Sequence, residues 1–257
     1  MFRNILAIAR NTFREAVRDR VLYNLVVFVL LITGCAVFLG DLTAGNEDRT
    51  VTNIGLSAML LFGVFISIFV GVSLVSKEIE KKTLYTIFSK PVGRGQFIVG
   101  KYLGLCLTLL VNVAVMGTGV SLALFYVGSG SLAASIWGTV TLIFLELTIV
   151  TAVAILFSSF STPALSALLT FLVWIIGHFS ASLKDLADGL GSAAAQWIFG
   201  FIYYVFPNLS HFEFVTLAAR GESPSAGYLG GVFLYTLIFN TILLAITIVI
   251  FRRRNLK

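Results

Sequence analysis

Charge is what this sequence has least of. Only 12% of its 257 residues are charged, against about 25% in an ordinary globular chain, while 58% are hydrophobic and the mean hydropathy is +0.98. A soluble core cannot take in that much apolar surface, so the composition excludes a water-soluble globular protein. It indicates an all-α polytopic membrane protein in a single domain, residues 1–257. Cysteine is scarce too. Cys35 and Cys106 fall inside apolar runs with no CxxC or Cys/His spacing, so they read as packing residues and give no metal-site signature. The two histidines, His178 and His211, lack ligand spacing and read as interfacial polar residues. No GxSxG, no HExxH and no convergent Ser/His/Asp set occurs, which leaves no support for a membrane hydrolase. A formal charge of +6 would suggest nucleic acid in a soluble chain, but its placement here points to a membrane instead.

Six apolar runs are long enough to cross about 30 Å of hydrocarbon. They are Val21–Leu39, Ile54–Val75, Tyr102–Val127, Ile136–Phe157, Ala164–Ser182 and Tyr228–Phe251. A seventh run, Ala193–Phe206, is too short to span and suits a re-entrant or interfacial helix. With the N-terminus inside and six spans, the inner side receives fifteen of the eighteen Lys and Arg. Five lie in residues 1–20, six between Lys77 and Lys101, and four in the tail at Arg252, Arg253, Arg254 and Lys257. A seventh span would move that tail outside, so the positive-inside rule favours six, with both termini cytoplasmic.

Residues 1–20 place Phe2, Ile5, Leu6, Ala9, Phe13, Ala16 and Val17 on one helical face and Arg3, Arg10, Arg14 and Arg18 on the other. This predicts an amphipathic helix in the membrane interface, rather than a signal peptide, since no small-residue cleavage site follows. The external segment 183–227 is long and partly apolar, which predicts a cap or gate folded back on the bundle. Ser158–Pro163 reads as a tight turn.

Between the second and third spans lies SKEIEKKTLYTIFSKPVGRGQFIVGK, residues 76–101, the densest cluster of charge. Glu78→Lys82 is a favourable i,i+4 pair, and Leu84, Ile87 and Phe88 share a face, so a short charged helix is expected. Pro91 stops it, and Gly93 and Gly95 supply a turn. Such a helix, held to the membrane by a span on each side, is either a docking surface for a soluble partner or a solvated loop. Gly95–Tyr102 nearly matches a phosphate-binding loop, but Tyr102 stands where Ser or Thr should hold Mg²⁺ and no strand precedes it. Lys101 is expected to snorkel at the inner interface. Gly100 and Gly104, and Gly63, Ser67 and Gly71, form small-xxx-small faces for close helix packing, within or between subunits.

Glu146 sits near the middle of the fourth span. Charged, it costs roughly 2.5–3.5 kcal/mol to insert, which thirteen Leu, Ile, Val and Phe at about −0.3 to −0.6 kcal/mol each outweigh. It reads either as a proton or substrate site, or as a structural acid bonded to Asn112 or Thr148. No second intramembrane acid or base accompanies it.

NTFREAVRDRVLY (Asn11–Tyr23) and EIEKKTLYTIFSKPVGRGQFIVGKYLG (Glu78–Gly104) resemble the two cytoplasmic signatures of type-2 ABC exporter permeases. SSFSTPALSALL (Ser158–Leu169) and FPNLSHFEF (Phe206–Phe214) are similar to further segments of the branch associated with multicopper-enzyme maturation. The resemblance spans the whole chain and departs from the pattern at Lys82, where many relatives have Gly before the Thr. It implies that residues 1–20, with Phe13, Arg14, Glu15 and Arg18, form the interfacial connecting helix. It implies that Glu78–Lys90 is a coupling helix docking on a separate soluble ATPase, with Glu78, Glu80, Lys82, Thr83, Leu84, Pro91 and Arg94 in the docking region. A second permease copy, identical or related, would pair through the first, second and fifth spans. This chain would bind no cofactor, ATP and Mg²⁺ belonging to the partner, and no nucleic acid. A bacterial cytoplasmic membrane is the implied location. Other readings are a stand-alone ion-coupled transporter or channel using Glu146, and a mechanical anchor that moves no solute.

Overall fold

The computed structural model describes residues 2–18, 20–41, 43, 45–80, 93–190 and 193–253, and these are mostly helical, with no strand among them. In chain order the helices are α1 (Phe2–Val17), α2 (Arg20–Asp41), α3 (Glu47–Glu80), α4 (Arg94–Tyr126), α5 (Gly130–Ser135), α6 (Trp137–Ser158) and α7 (Pro163–Leu190). They continue with α8 (Ala193–Val205), a 3₁₀ turn at Leu209–Phe212, α9 (Val215–Ala218) and α10 (Ala226–Arg253). Five stretches are long and apolar enough to cross a membrane: Glu47–Ser73, Arg94–Tyr126, Gly130–Ser158, Pro163–Leu186 and Ala226–Arg252. The apolar part of α2, Val26–Gly40, is shorter but lies within a 22-residue helix, about 33 Å long at 1.5 Å per residue. The chain is a polytopic all-α membrane protein. Short α8 stays below spanning length, as its composition predicts.

The helices overrun the apolar runs, for local reasons. α3 begins at Glu47, seven residues before the expected boundary, because Glu47 and Asp48 in its first turn complement the partial positive charge of the helix N-terminus. α4 begins at Arg94, so Gly95 is helical rather than part of a turn. Gly93 is the N-cap, and its N–H donates to Gln96 Oε1 at 3.3 Å. The resulting α3 and α4 have 34 and 33 residues, about 50 Å each, and project beyond a 30 Å hydrocarbon layer.

α6 is the centre of the bundle. Its apolar window is 78% buried, against 28% in α7 and 22% in α10, so the latter two present wide apolar faces outward. The small-residue face of α3 packs on it. A Cβ built on Gly63 would lie 2.6 Å from Leu147 Cδ1, one on Gly71 would lie 3.0 Å from Ala154 Cβ, and Ser67 turns its hydroxyl back to Gly63 O at 2.9 Å. That contact is within the chain. Removing side-chain bulk lets the two backbones approach, which is the main source of helix association where lipid is as apolar as Leu.

At one end, called the basic end below, α1 lies on α4. Ala9, Thr12 and Ala16 are buried, whereas Arg3, Arg10, Arg14 and Arg18 are exposed, so the predicted amphipathic helix is present. Its buried face meets Gly100 and Gly104. A Cβ at Gly104 would lie 2.6 Å from both Ala9 O and Thr12 Cβ, and one at Gly100 would lie 2.8 Å from Ile8 Cβ. The second small-residue pair therefore also packs within the chain, against α1.

At the far end, residues 206–218 fold back on the bundle, as expected of segment 183–227. Leu209 and Phe212 are buried, and Gly177 on α7 leaves room for Pro207 and Leu209, whose nearest atoms would fall 2.6 and 2.8 Å from a Cβ there. Asn208 fastens the turn: its Oδ1 accepts from Ser180 Oγ (3.1 Å), Ser210 Oγ (2.6 Å) and Ser210 N (3.2 Å), while its N–H donates to Tyr235 Oη at 2.8 Å. Tyr228 Oη adds a bond to His211 O at 2.6 Å.

Candidate functional site

Of the predicted docking residues, Lys82, Thr83, Leu84 and Pro91 lie outside the described residues. Glu78 and Glu80 stand in the last turn of α3, and Arg94 opens α4. The structure thus frames the segment between two projecting helices. Its root on the α4 side is held by charges whose partners only the fold brings into reach. The Arg94 guanidinium donates through Nη1 to Phe251 O (3.1 Å) and Arg252 O (2.7 Å), satisfying carbonyls at the C-terminus of α10, where a cation is electrostatically favoured. Phe97, one turn on, stacks on Phe251 with ring centroids 6.1 Å apart.

Lys101 corrects an expectation. It does not snorkel to the interface: it is 2% exposed, with Nζ 3.6 Å from Glu15 Oε2 of α1 and 5.9 Å from the Phe97 ring centroid. A buried ammonium needs a counter-charge, and α1 supplies it. Glu15 is thereby tied to α4, while Phe13 is partly buried and Arg14 and Arg18 remain exposed. One connected group of Glu15, Arg94, Phe97, Lys101 and Phe251 joins α1, α4 and α10 where the segment between α3 and α4 returns to the bundle. Arg94→Ala is expected to loosen the last turn of α10, with about 2–5-fold faster amide exchange there, the equivalent of 0.3–1 kcal/mol for a cation at a helix C-terminus. Hydrogen exchange by mass spectrometry measures it.

Gly95–Tyr102 makes no phosphate loop. All eight residues belong to the first turns of α4, where the N–H groups beyond the first turn are spent inside the helix.

A second cluster lies in mid-bundle around Glu146, which is fully buried on α6. Its partner is neither Asn112 nor Thr148. Trp174 Nε1 of α7 donates to Glu146 Oε1 at 2.8 Å, and Thr148 instead receives Asn240 Nδ2 of α10 at 3.1 Å. A base also accompanies the acid, contrary to expectation: His178 Nδ1 lies 3.8 Å from Glu146 Oε1. Trp174 and His178 are one turn apart on α7, their rings 5.0 Å apart, and the stack continues through Phe171 (5.7 Å from Trp174) to Phe65 of α3 (6.2 Å). His178 is therefore a bundle residue. His211, packed edge-on against Tyr235 at 5.8 Å, stays near the surface.

Residues 6–256 match the family described as ABC-2 family transporter protein. The chain belongs to that family. Among curated proteins, none matches it. ABC-2 family proteins are the membrane-embedded permease components of ABC transporters and are not themselves catalytic, which accords with the type-2 ABC permease resemblance over nearly the whole chain.

Proposed function

We propose that this chain is the permease subunit of an ABC exporter in a bacterial cytoplasmic membrane, paired with a second permease copy and driven by a separate soluble ATPase. The basic end faces the cytoplasm, placing both termini and residues 76–101 inside. The observation that carries this reading is the family match over residues 6–256, with the segment resembling a coupling helix set between α3 and α4. α3 carries Glu78 and Glu80 past its apolar part, and Arg94 and Lys101 tie the return of the segment to α10 and α1. A push on residues 78–94 is thus delivered to four helices at once. Closure of the ATPase dimer would rock these helices and change access to a midline path, the two-state motion that transport requires. Outward apolar faces on α2 and α7, including Phe28, Leu31, Leu168 and Leu172, supply surface for the second copy.

The experiment is co-reconstitution. A Walker-motif protein that copurifies with this chain should hydrolyse ATP faster in its presence and drive solute flux. Hydrolysis without flux would favour an anchor that transmits mechanical work, and flux without ATP would favour an ion-coupled carrier.

A further inference from the structure

The coupling described above makes no use of Glu146, yet the bundle bears the cost of burying it. Its side chain is 1% exposed on the most buried of the spanning stretches, Oε1 accepts the Trp174 N–H, and Oε2 has no hydrogen-bond partner. His178 Nδ1 faces the same carboxyl at 3.8 Å and likewise has no hydrogen-bond partner. A buried carboxylate with one unmet oxygen costs several kcal/mol unless it is paired or protonated. An imidazole beside it is the side chain best suited to deliver or hold a proton. A fully enclosed carboxyl can take up a proton without room for another atom.

Exposure is graded along one direction. Glu213, in the segment folded over the far end, is exposed and near enough to interact electrostatically with both groups. The His178 side chain is 19% exposed and that of Glu146 is 1%. Among the described residues, no other titratable side chain is bonded to Glu146 or His178. α3 has no titratable residue between Arg49 and Ser73. α4 offers Tyr102, Cys106 and Lys101 toward the basic end, the last paired with Glu15, and Tyr126 at the far end. α10 contributes Tyr228 and Tyr235, bonded to the 206–214 turn, and Lys184 of α7 sits over Tyr203, 4.5 Å from its ring centroid. Asp185 is exposed, and His211 packs on Tyr235.

We infer that Glu146 and His178 form a proton-binding site in the membrane, entered past Glu213 from the end opposite α1. A proton from that side forms an N–H at His178 Nδ1. Transfer breaks that bond, forms an O–H on Glu146 and returns His178 to neutral imidazole. One proton is taken up, and the negative charge at the α6–α7 contact is cancelled. The packing of α6 on α7 thereby responds to the pH of the far side. The site needs no ATPase, so it stands or falls separately from the coupling reading.

Infrared difference spectroscopy of the full chain in phosphatidylcholine vesicles, between about pH 5 and 9, tests this. A carboxylic-acid C=O band is expected to grow as pH falls and to be lost in Glu146→Gln, whose amide oxygen still accepts the Trp174 N–H. In His178→Gln the band should remain but its midpoint should move by about one pH unit or more. Glu146→Asp, which keeps the acid on a shorter stem, should shift the band frequency, a readout that survives if the Gln variant fails to fold. A spectrum with no band assignable to position 146, or a midpoint identical in His178→Gln, overturns the proposal.

Discussion

Glu78→Lys combined with Glu80→Lys is expected to abolish ATP-driven transport, with partner-stimulated ATPase activity falling at least tenfold, while the chain still inserts into the membrane. Both residues end α3 beyond its apolar stretch, so reversal leaves the spanning part of the helix untouched. The double change moves the net charge of this short segment by four units, from an acid-base mixture to an almost wholly basic run through Lys81 and Lys82. A complementary partner surface then meets like charge, and a tenfold loss needs only about 1.4 kcal/mol of coupling free energy, small for two juxtaposed reversals. Coupled hydrolysis in co-reconstituted vesicles checks it. Unchanged stimulation would remove the docking role from these residues.

Gly104→Val should act as strongly on the fold. The added Cβ would lie 2.6 Å from Ala9 O, a backbone atom that no rotamer change can move away. α1 would have to lift off α4, separating Lys101 from Glu15 and leaving an ammonium buried without its counter-charge. Overpacking alone costs about 1–3 kcal/mol, enough to lower the apparent Tm in detergent by about 2–10 °C. Gly230→Ala serves as the control: a Cβ there meets nothing within 4 Å, and its Tm should stay within about 1 °C of the parent. Equal effects at the two glycines would show that the α1–α4 contact is not held by backbone proximity.

Periodicity and hydropathy made the long apolar helices, the amphipathic α1 and the two small-residue faces legible. Where helices run past the apolar layer, hydropathy is blind. The starts of α3 and α4 are set by Glu47 and Asp48 at a helix N-terminus and by Arg94 reaching carbonyls 157 and 158 residues away. The same holds for charges satisfied by tertiary contact. Lys101 read as a snorkelling residue because Glu15 lies 86 positions earlier, and only the fold of α1 onto Gly100 and Gly104 brings the two together. For Glu146 a usable signal was present. It stands twelve residues before Ser158, and Trp174 stands eleven after Pro163, so the tight turn between α6 and α7 sets them at one depth. Trp174 and His178 then share a helix face by their i,i+4 spacing. Asn208 could not have been found this way, since its partners Ser180 and Tyr235 belong to two different helices and meet only where the 206–214 turn folds inward.

The central claim is that residues 78–94 receive a separate ATPase, and a photo-crosslinker incorporated at Leu84 in the intact membrane addresses it most directly. With the adduct identified by mass spectrometry, the account predicts a single protein carrying Walker motifs, lost in the Glu78→Lys, Glu80→Lys chain. Adducts only to lipid, or only to a protein of the opposite membrane face, would contradict it.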